Sequence, residues 1–153
     1  MFEFLGHKFD KDIVGVRDRS IKKLYENLNV LFTLYKFKSL TDEQLYMKLN
    51  YKIVGCTIDG KKYGWLNFFN QLNDYNLLYT IDKFLEKMCS KHWLDYTKLK
   101  KFSRAIYEMK NPQSKYMKVK NSCNFNIKPY ELKLELQSDV EFYQQERKNI
   151  IFL

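Results

Sequence analysis

Residues 18–36 read DRSIKKLYENLNVLFTLYK and establish the first long element of the fold. Apolar residues recur in this stretch at spacings of three and four, as one face of an α-helix requires. The recurring positions are Ile21, Leu24, Leu28, Leu31 and Tyr35. Asp18 or Ser20 is placed to cap the N-terminus of this helix. The pattern therefore predicts a helix from about Asp18 to Lys36 that packs on a buried core.

The residues that follow carry the start signal of a second helix. Thr41 and Gln44 form a capping box, in which each side chain binds the other residue's backbone N–H. Asp42 and Glu43 add negative charge where the helix dipole favours it. These signals predict a short helix that begins after Thr41 and ends at about Asn50.

A β-hairpin is predicted near residues 51–66. Two strand-like stretches flank Asp59-Gly60, which is a typical tight turn. From Gly55 the same stretch also fits G-x-x-x-x-G-K, the beginning of a phosphate-binding P-loop. Lys62 stands where that motif needs Ser or Thr to hold magnesium. The hairpin interpretation needs no such residue, so it explains this stretch better than the P-loop does.

The remaining chain predicts three further helices and two further strands. Helical spacing of apolar residues marks the helices, and alternation marks the strands. The predicted elements are helices over residues 74–91 and 95–110, strands over residues 115–120 and 130–137, and a last helix from Ser138. We therefore expect an α+β fold in a single compact domain over residues 1–153. It should have a mainly helical core of about five helices, the hairpin near 51–66, and two further strands near 115–137.

Composition bounds the class of protein. The chain has 153 residues, 45% of them hydrophobic, which is enough for one buried core. Its apolar runs are far shorter than the roughly 18 residues of a membrane span, and its charged start is unlike a signal peptide. The three widely spaced cysteines, Cys56, Cys89 and Cys123, suit reduced thiols. We expect a cytoplasmic protein, of the producing or a host cell, without a membrane partner.

Codon bias is visible in the amino-acid usage. Ala105 is the one alanine of the chain, and there are 23 lysines against four arginines. Residue types with AT-rich codons dominate throughout. This composition is typical of an AT-rich coding sequence, as in many viruses, phages, other mobile elements and some parasites. It also means that an abundance of lysine does not by itself indicate a polyanionic partner.

Positive charge is concentrated in residues 91–120. This segment has nine Lys or Arg side chains and two acids, Asp95 and Glu108. Such a segment suits the phosphate backbone of nucleic acid, with a tyrosine on which a base could stack. The predicted polyanion-binding residues are Lys98, Lys100, Lys101 and Arg104 on one helix, and Lys115, Tyr116, Lys118 and Lys120 on the next strand. The alternative is a solvated lysine face that maintains solubility.

These features favour a non-enzymatic binding protein of a virus, phage or mobile element that docks on nucleic acid or on a nucleoprotein complex. The aromatic residues support an alternative, a small module that inhibits a host defence or regulatory protein. The interface of that module would comprise Tyr63, Trp65, Phe68, Phe69 and Trp93. Core packing is the competing explanation for these aromatic side chains.

A metal-dependent nuclease is a second alternative. Glu131 and Lys133 on a predicted strand fit half of such a site, a metal-binding carboxylate with a lysine that steadies the attacking water. Glu108 would have to supply the first carboxylate, and it lies on a predicted helix. Alternating charges on the outer face of a strand explain the pair more simply.

Zinc binding has a partial signature. Cys89 and His92 are spaced like two ligands at a helix end, and Cys56 and Cys123 could complete a tetrahedral set. Structural zinc sites usually contain two close pairs, however, and buried cysteines are common as small apolar packers. The sequence therefore predicts no catalytic residue, no metal and no cofactor.

Overall fold

A computed structural model describes residues 2–4, 7–10, 13–58, 61–69, 72–111 and 113–118. Within them the protein has the predicted α+β class, with five α-helices and five short strands. The helices are α1 (Asp18–Lys36), α2 (Asp42–Val54), α3 (Trp65–Phe68), α4 (Tyr75–Lys91) and α5 (Phe102–Glu108), with a 3-10 turn at Tyr96–Lys98. The strands are β1 (Phe2–Phe4), β2 (His7–Asp10), β3 (Ile13–Val16), β4 (Cys56–Ile58) and β5 (Lys61–Tyr63).

The first three strands form an antiparallel sheet in the order β1-β2-β3. Phe2 pairs with Phe9, and His7 pairs with Val16. No signal in the sequence predicted this sheet. Its strands have three or four residues each, which is at or below the length at which alternation becomes a usable signal.

Helix α1 has the predicted bounds, but its predicted cap is wrong. The N-cap residue is Arg17, and no side chain there caps the helix. Asp18 lies in the first turn, where its charge suits the helix dipole. Ser20 is buried, and its hydroxyl has no hydrogen-bond partner within the described residues.

Helix α2 begins as predicted and ends later than predicted. The Thr41–Gln44 capping box is present in both directions. The helix continues beyond the predicted end at Asn50 to Val54, because Leu49 and Ile53 extend its buried face. Gly55 then ends it with φ +70°. A Cβ at this position would lie 2.1 Å from the Tyr63 carbonyl oxygen, so only glycine fits here.

The predicted hairpin is present in a shorter form as the β4–β5 pair, with Cys56 opposite Tyr63 and Ile58 opposite Lys61. Its first strand was predicted from Tyr51, but residues 51–54 belong to α2. Residues 61–63 are a strand, not the helix that a P-loop requires after its lysine. The P-loop interpretation is therefore wrong. The chain turns at Gly64 into the short helix α3, which packs on α2 and α5.

The core is formed by the facing sides of the helices. α1 packs on α2, and α4 packs on α5. Its fully buried members include Leu28, Leu45, Leu49, Leu78, Ile81, Leu85, Phe102 and Ala105. Helix α4 is nearly as predicted, and the Asp74 carboxylate caps it by accepting the Leu77 N–H at 3.3 Å.

The predicted helix over residues 95–110 is broken in the structure. Asp95 caps a single 3-10 turn, Leu99 and Lys101 have extended backbone angles, and α5 begins at Phe102. The predicted strand over residues 115–120 is also wrong for its described part, because residues 115–118 form turns. The strand over residues 130–137 and the last helix lie outside the described residues.

Candidate nucleic-acid interface

The basic segment is fixed to the body of the protein through its backbone. The Asn50 side chain donates to the Lys98 carbonyl oxygen at 3.1 Å and accepts the Lys100 N–H at 2.8 Å. Asn50 is buried on α2. This pair of hydrogen bonds replaces the helical bonds that residues 98–100 would otherwise make. It therefore holds the chain extended at this point.

A buried carboxylate caps the helix that follows. Asp82 of α4 is 6% exposed, and its Oδ1 accepts the Phe102 N–H at 2.7 Å. Its Oδ2 accepts both the N–H of Ser103 at 3.2 Å and the hydroxyl of that residue at 2.6 Å. The carboxylate thus satisfies N–H groups that the first turn of α5 leaves open, and its charge suits the helix dipole.

Tyr116 forms a hydrogen bond with the remaining N–H of this bend, and its ring contacts two cations. Its hydroxyl accepts the Lys101 N–H at 2.7 Å. The Nζ of Lys100 lies 4.6 Å from the Tyr116 ring centroid, and the Cζ of Arg104 lies 4.2 Å from it. Burial raises the pKa of the Tyr116 hydroxyl, so it remains a neutral hydrogen-bonding group. We call Lys100, Lys101, Arg104 and Tyr116 the Tyr116 cluster.

The ring of Tyr116 therefore has a structural role that the sequence did not reveal. Cations within about 6 Å of a tyrosine ring are attracted to its face. Lys100 and Arg104 both meet this condition on one ring, so two positive groups are held close together. The sequence analysis predicted Tyr116 as a surface for base stacking; in the structure its ring contacts cations instead.

Most of the predicted polyanion-binding side chains are exposed. Lys98, Lys101, Arg104, Lys115 and Lys118 are exposed, whereas Lys100 is half-buried. They lie on the 3-10 turn, on the extended stretch after it, on α5 and on the turns that follow, rather than on one helix face and one strand. Lys120 lies outside the described residues.

Neutralising carboxylates are scarce around this surface. Within the described chain, Lys98, Lys101, Lys115 and Lys118 have no carboxylate at ion-pair distance. Arg104 Nε lies 3.5 Å from Glu108 Oε1. The Ser114 hydroxyl, then Arg104, lowers the pKa of the Glu108 carboxyl, so this acid keeps its charge.

Sequence reasoning missed the two residues that position this surface. Asn50 and Asp82 both lie among apolar residues of a helix face, next to Leu49 and Ile81 respectively. A polar residue within an apolar stripe must find a partner when it is buried. That interruption of the stripe was the available signal.

The structure corrects the alternative aromatic interface. Tyr63, Trp65 and Phe69 are buried in the core, and Phe68 is half-buried against it. The Trp65 ring packs on Phe69 and Phe102 at centroid distances of 5.3 and 6.0 Å. These side chains cannot anchor a partner. Trp93 alone of the five predicted residues is exposed, with 96% of its surface accessible.

The described residues bring together no group of three His, Cys, Asp or Glu side chains that could hold a metal ion. Burial raises the pKa of the Cys89 thiol to about 11, with a contribution from Asp95, and burial does the same for Cys56. Cys123, Glu131 and Lys133 lie outside the described residues, so the zinc set and the nuclease pair stay alternatives that the described residues do not test.

A cavity of about 610 Å³ lies beside the basic segment. Its wall combines apolar side chains of α2 and of the turns after α5 with two lysines; the residues include Val54, Met109, Met117, Lys62 and Lys118. The lysines place positive charge at a mainly apolar space. Lys118 belongs both to this cavity and to the predicted polyanion-binding residues.

In the part of the chain that the structure describes, no helix combines the length and the apolarity needed to cross a membrane.

Comparisons with protein-family models, with curated proteins and with solved structures found no match to this chain.

Proposed function

We propose that this chain is a non-enzymatic binding protein that holds nucleic acid through the lysine and arginine side chains of residues 98–118. The observation that carries the proposal is the set of exposed lysines without carboxylate partners in the described chain, namely Lys98, Lys101, Lys115 and Lys118. Phosphates that meet such side chains release counterions, and this release drives sequence-independent binding.

The Tyr116 cluster supports the same proposal. Glu108 pairs with Arg104, so the cluster contributes ordered cations rather than unpaired charge. The ring of Tyr116 restrains the Lys100 and Arg104 side chains before any partner arrives. Little side-chain freedom is then lost on binding, which favours affinity.

The proposed setting follows from composition. The AT-rich codon usage suits a virus, a phage or a mobile element. In that setting the partner is nucleic acid itself or a complex that handles it. The protein-interaction alternative has less support, since three of its five predicted anchors are buried.

The test is fluorescence anisotropy with short labelled DNA and RNA at salt concentrations from roughly 50 to 200 mM. The variant Lys98→Glu/Lys101→Glu/Lys115→Glu replaces exposed cations for which no ion pair is found. Substitution at Lys98 and Lys101 preserves the structural bonds there, because those bonds use backbone atoms. We expect the native protein to bind with an affinity that falls linearly with salt on logarithmic axes, and the variant to lose at least about tenfold.

The matched control is Lys22→Glu/Lys83→Glu/Lys87→Glu. These three lysines are exposed on α1 and α4, outside the basic segment. The control changes the net charge by the same amount as the test variant. Equal losses in both triple variants would show that net charge, not this surface, governs binding. Absence of binding by the native protein at the lowest salt would refute the proposed function.

A further inference from the structure

Trp93 occupies an unusual position at the end of α4. It has φ +59°, a left-handed conformation that bulky residues seldom adopt. Two backbone bonds impose this conformation: the Trp93 N–H donates to the Ser90 carbonyl at 3.3 Å, and the Leu94 N–H donates to the Cys89 carbonyl at 2.8 Å. This is a Schellman motif, and glycine is its usual residue here. Leu94 is buried and anchors the motif.

The side chain of Trp93 is exposed to solvent, although the Schellman motif fixes its backbone. It is 96% exposed, whereas Trp65, the other tryptophan, is 2% exposed and packs among aromatic rings. Core packing therefore accounts for Trp65 and does not account for Trp93. A fixed backbone that presents a whole indole to solvent makes this ring available to a partner.

Two lysines lie near the residue that precedes this indole. The ring of His92 stacks on Phe32 at 5.7 Å, which brings the end of α4 against α1. The pKa of His92 is lowered by burial and then by the charges of Lys91 and Lys36. Positive charge from both helices therefore lies close to His92, and Asp95 supplies one negative charge two residues after Trp93.

Trp93 also lies at the start of the basic segment. Lys98 follows it by five residues, so their Cα atoms are at most about 18 Å apart even if the chain between them is fully extended. One flexible strand of nucleic acid could therefore contact both. An acidic protein surface would also satisfy the lysines, but a single strand supplies a flat base at every nucleotide for the indole.

We infer that Trp93 is a stacking platform for an unpaired base, and that the protein binds single-stranded nucleic acid in preference to duplex. The inference rests on the proposed function. Every base has a flat face that can stack on an aromatic ring, and a positively charged surface beside the ring tracks the backbone. In a duplex these faces are already covered by neighbouring bases. The indole of Trp93 then has no base face on which to stack, and only the contacts between lysines and phosphates contribute to duplex binding.

The test uses the full chain: anisotropy of labelled oligonucleotides measures the affinity of every variant, and tryptophan fluorescence reports base contact in the native protein. Single strands of about 12 nucleotides, as oligo-dT and oligo-U, are titrated alongside a DNA duplex of the same length. The variants are Trp93→Ala, which removes the ring, and Trp93→Phe, which keeps a ring. Buried Trp65 is the internal reference, because its emission reports on folding rather than on contact with a base.

We expect single strands to quench the native emission and to bind more tightly than duplex. Trp93→Ala should weaken single-strand binding about fivefold or more, since one base–aromatic stack supplies at least that factor. Its duplex affinity should be unchanged, and Trp93→Phe should retain most of the single-strand affinity.

Two outcomes separate this inference from the proposed function. If Trp93→Ala binds single strands as the native protein does, or if native protein binds duplex equally well, the stacking platform is refuted while phosphate binding stands. If native protein binds none of the three oligonucleotides at roughly 50 mM salt, both proposals fail together.

Discussion

The spacing of apolar residues predicted the structure of both helix α1 and residues 95–118, but only α1 has the predicted structure. α1 has the predicted bounds from Asp18 to Lys36. The later segment was predicted as one long helix and a strand, and it forms a 3-10 turn, an extended bend, a short helix and further turns. Its apolar residues Leu99, Phe102 and Ile106 are nevertheless buried.

The difference lies in where the backbone N–H groups find partners. In α1 they bond within the helix, and apolar spacing alone describes such an element. From Lys100 to Ser103, four successive N–H groups bond to side chains of Asn50, Tyr116 and Asp82. These partners are 15 to 50 residues distant in the chain. Long-range hydrogen bonds thus replaced a helix that local signals favoured.

The largest expected effect comes from Asp82→Ala. The variant leaves the first turn of α5 without its cap, so we expect a loss of about 3 kcal/mol in the free energy of unfolding. Urea denaturation measures the loss. Asp82→Asn is the control, since it keeps an oxygen for the Phe102 N–H and should lose less. A loss in Asp82→Ala no larger than that of a surface substitution would mean that α5 forms without this cap.

Asn50→Ala should have the next largest effect. It removes both partners of the extended bend and leaves the Lys98 carbonyl and the Lys100 N–H unsatisfied, at a cost of about 2 kcal/mol. Asn50→Asp keeps the acceptor for Lys100, but it places a buried carboxylate oxygen next to the Lys98 carbonyl oxygen, so it should also destabilise the fold at neutral pH. Thermal unfolding should rank the native protein above both variants. A native-like stability of Asn50→Ala would contradict the bonding at this bend.

Thr41→Ala tests a local signal in the same way. The Thr41 hydroxyl accepts the Gln44 N–H at 3.2 Å, and its loss should cost about 1 kcal/mol of unfolding free energy. Because the cap is local to α2, binding of nucleic acid should not change. Comparison with Asp82→Ala by the same denaturation assay would show whether the remote cap is worth more than the local one.

Tyr116→Phe should reduce stability by about 0.5 kcal/mol, because water can replace the phenol at the exposed Lys101 N–H. The ring remains, so Lys100 and Arg104 keep their contact and the affinity for nucleic acid should be retained. Tyr116→Ala removes the ring and should weaken that affinity. Anisotropy titrations of both variants make the distinction; equal affinities would show that the cluster does not organise the cations.

The smallest expected effect concerns pH. Burial, and then Lys91 and Lys36, lowers the pKa of His92. The unfolded chain therefore takes up a proton at a pH where the folded chain remains neutral, so stability is complete above pH of about 6.5 and falls as the pH drops below it. In His92→Gln this decline should be shallower when unfolding is followed from neutral to acid pH. An identical decline in both proteins would contradict the lowered pKa.

The sequence by itself determined the elements whose signals are local. Periodicity gave α1 and α4 their bounds, the Thr41–Gln44 capping box gave α2 its start, and the hairpin near residues 51–66 followed from its turn. It also located the excess of positive charge in residues 91–120. Each of these features depends on residues within a few positions of one another.

The tertiary structure decided how the basic segment bends and which side chains face solvent. The side chains of Asn50, Asp82 and Tyr116 form hydrogen bonds with backbone groups that are near in space and remote in sequence, so no local sequence pattern predicts these bonds. Burial of Trp65 and exposure of Trp93 likewise depend on what packs around each ring. The physical reason is the same in both cases. The hydrogen-bond partner of a buried polar group and the packing neighbours of an aromatic ring come from remote parts of the chain, so composition and local spacing do not identify them.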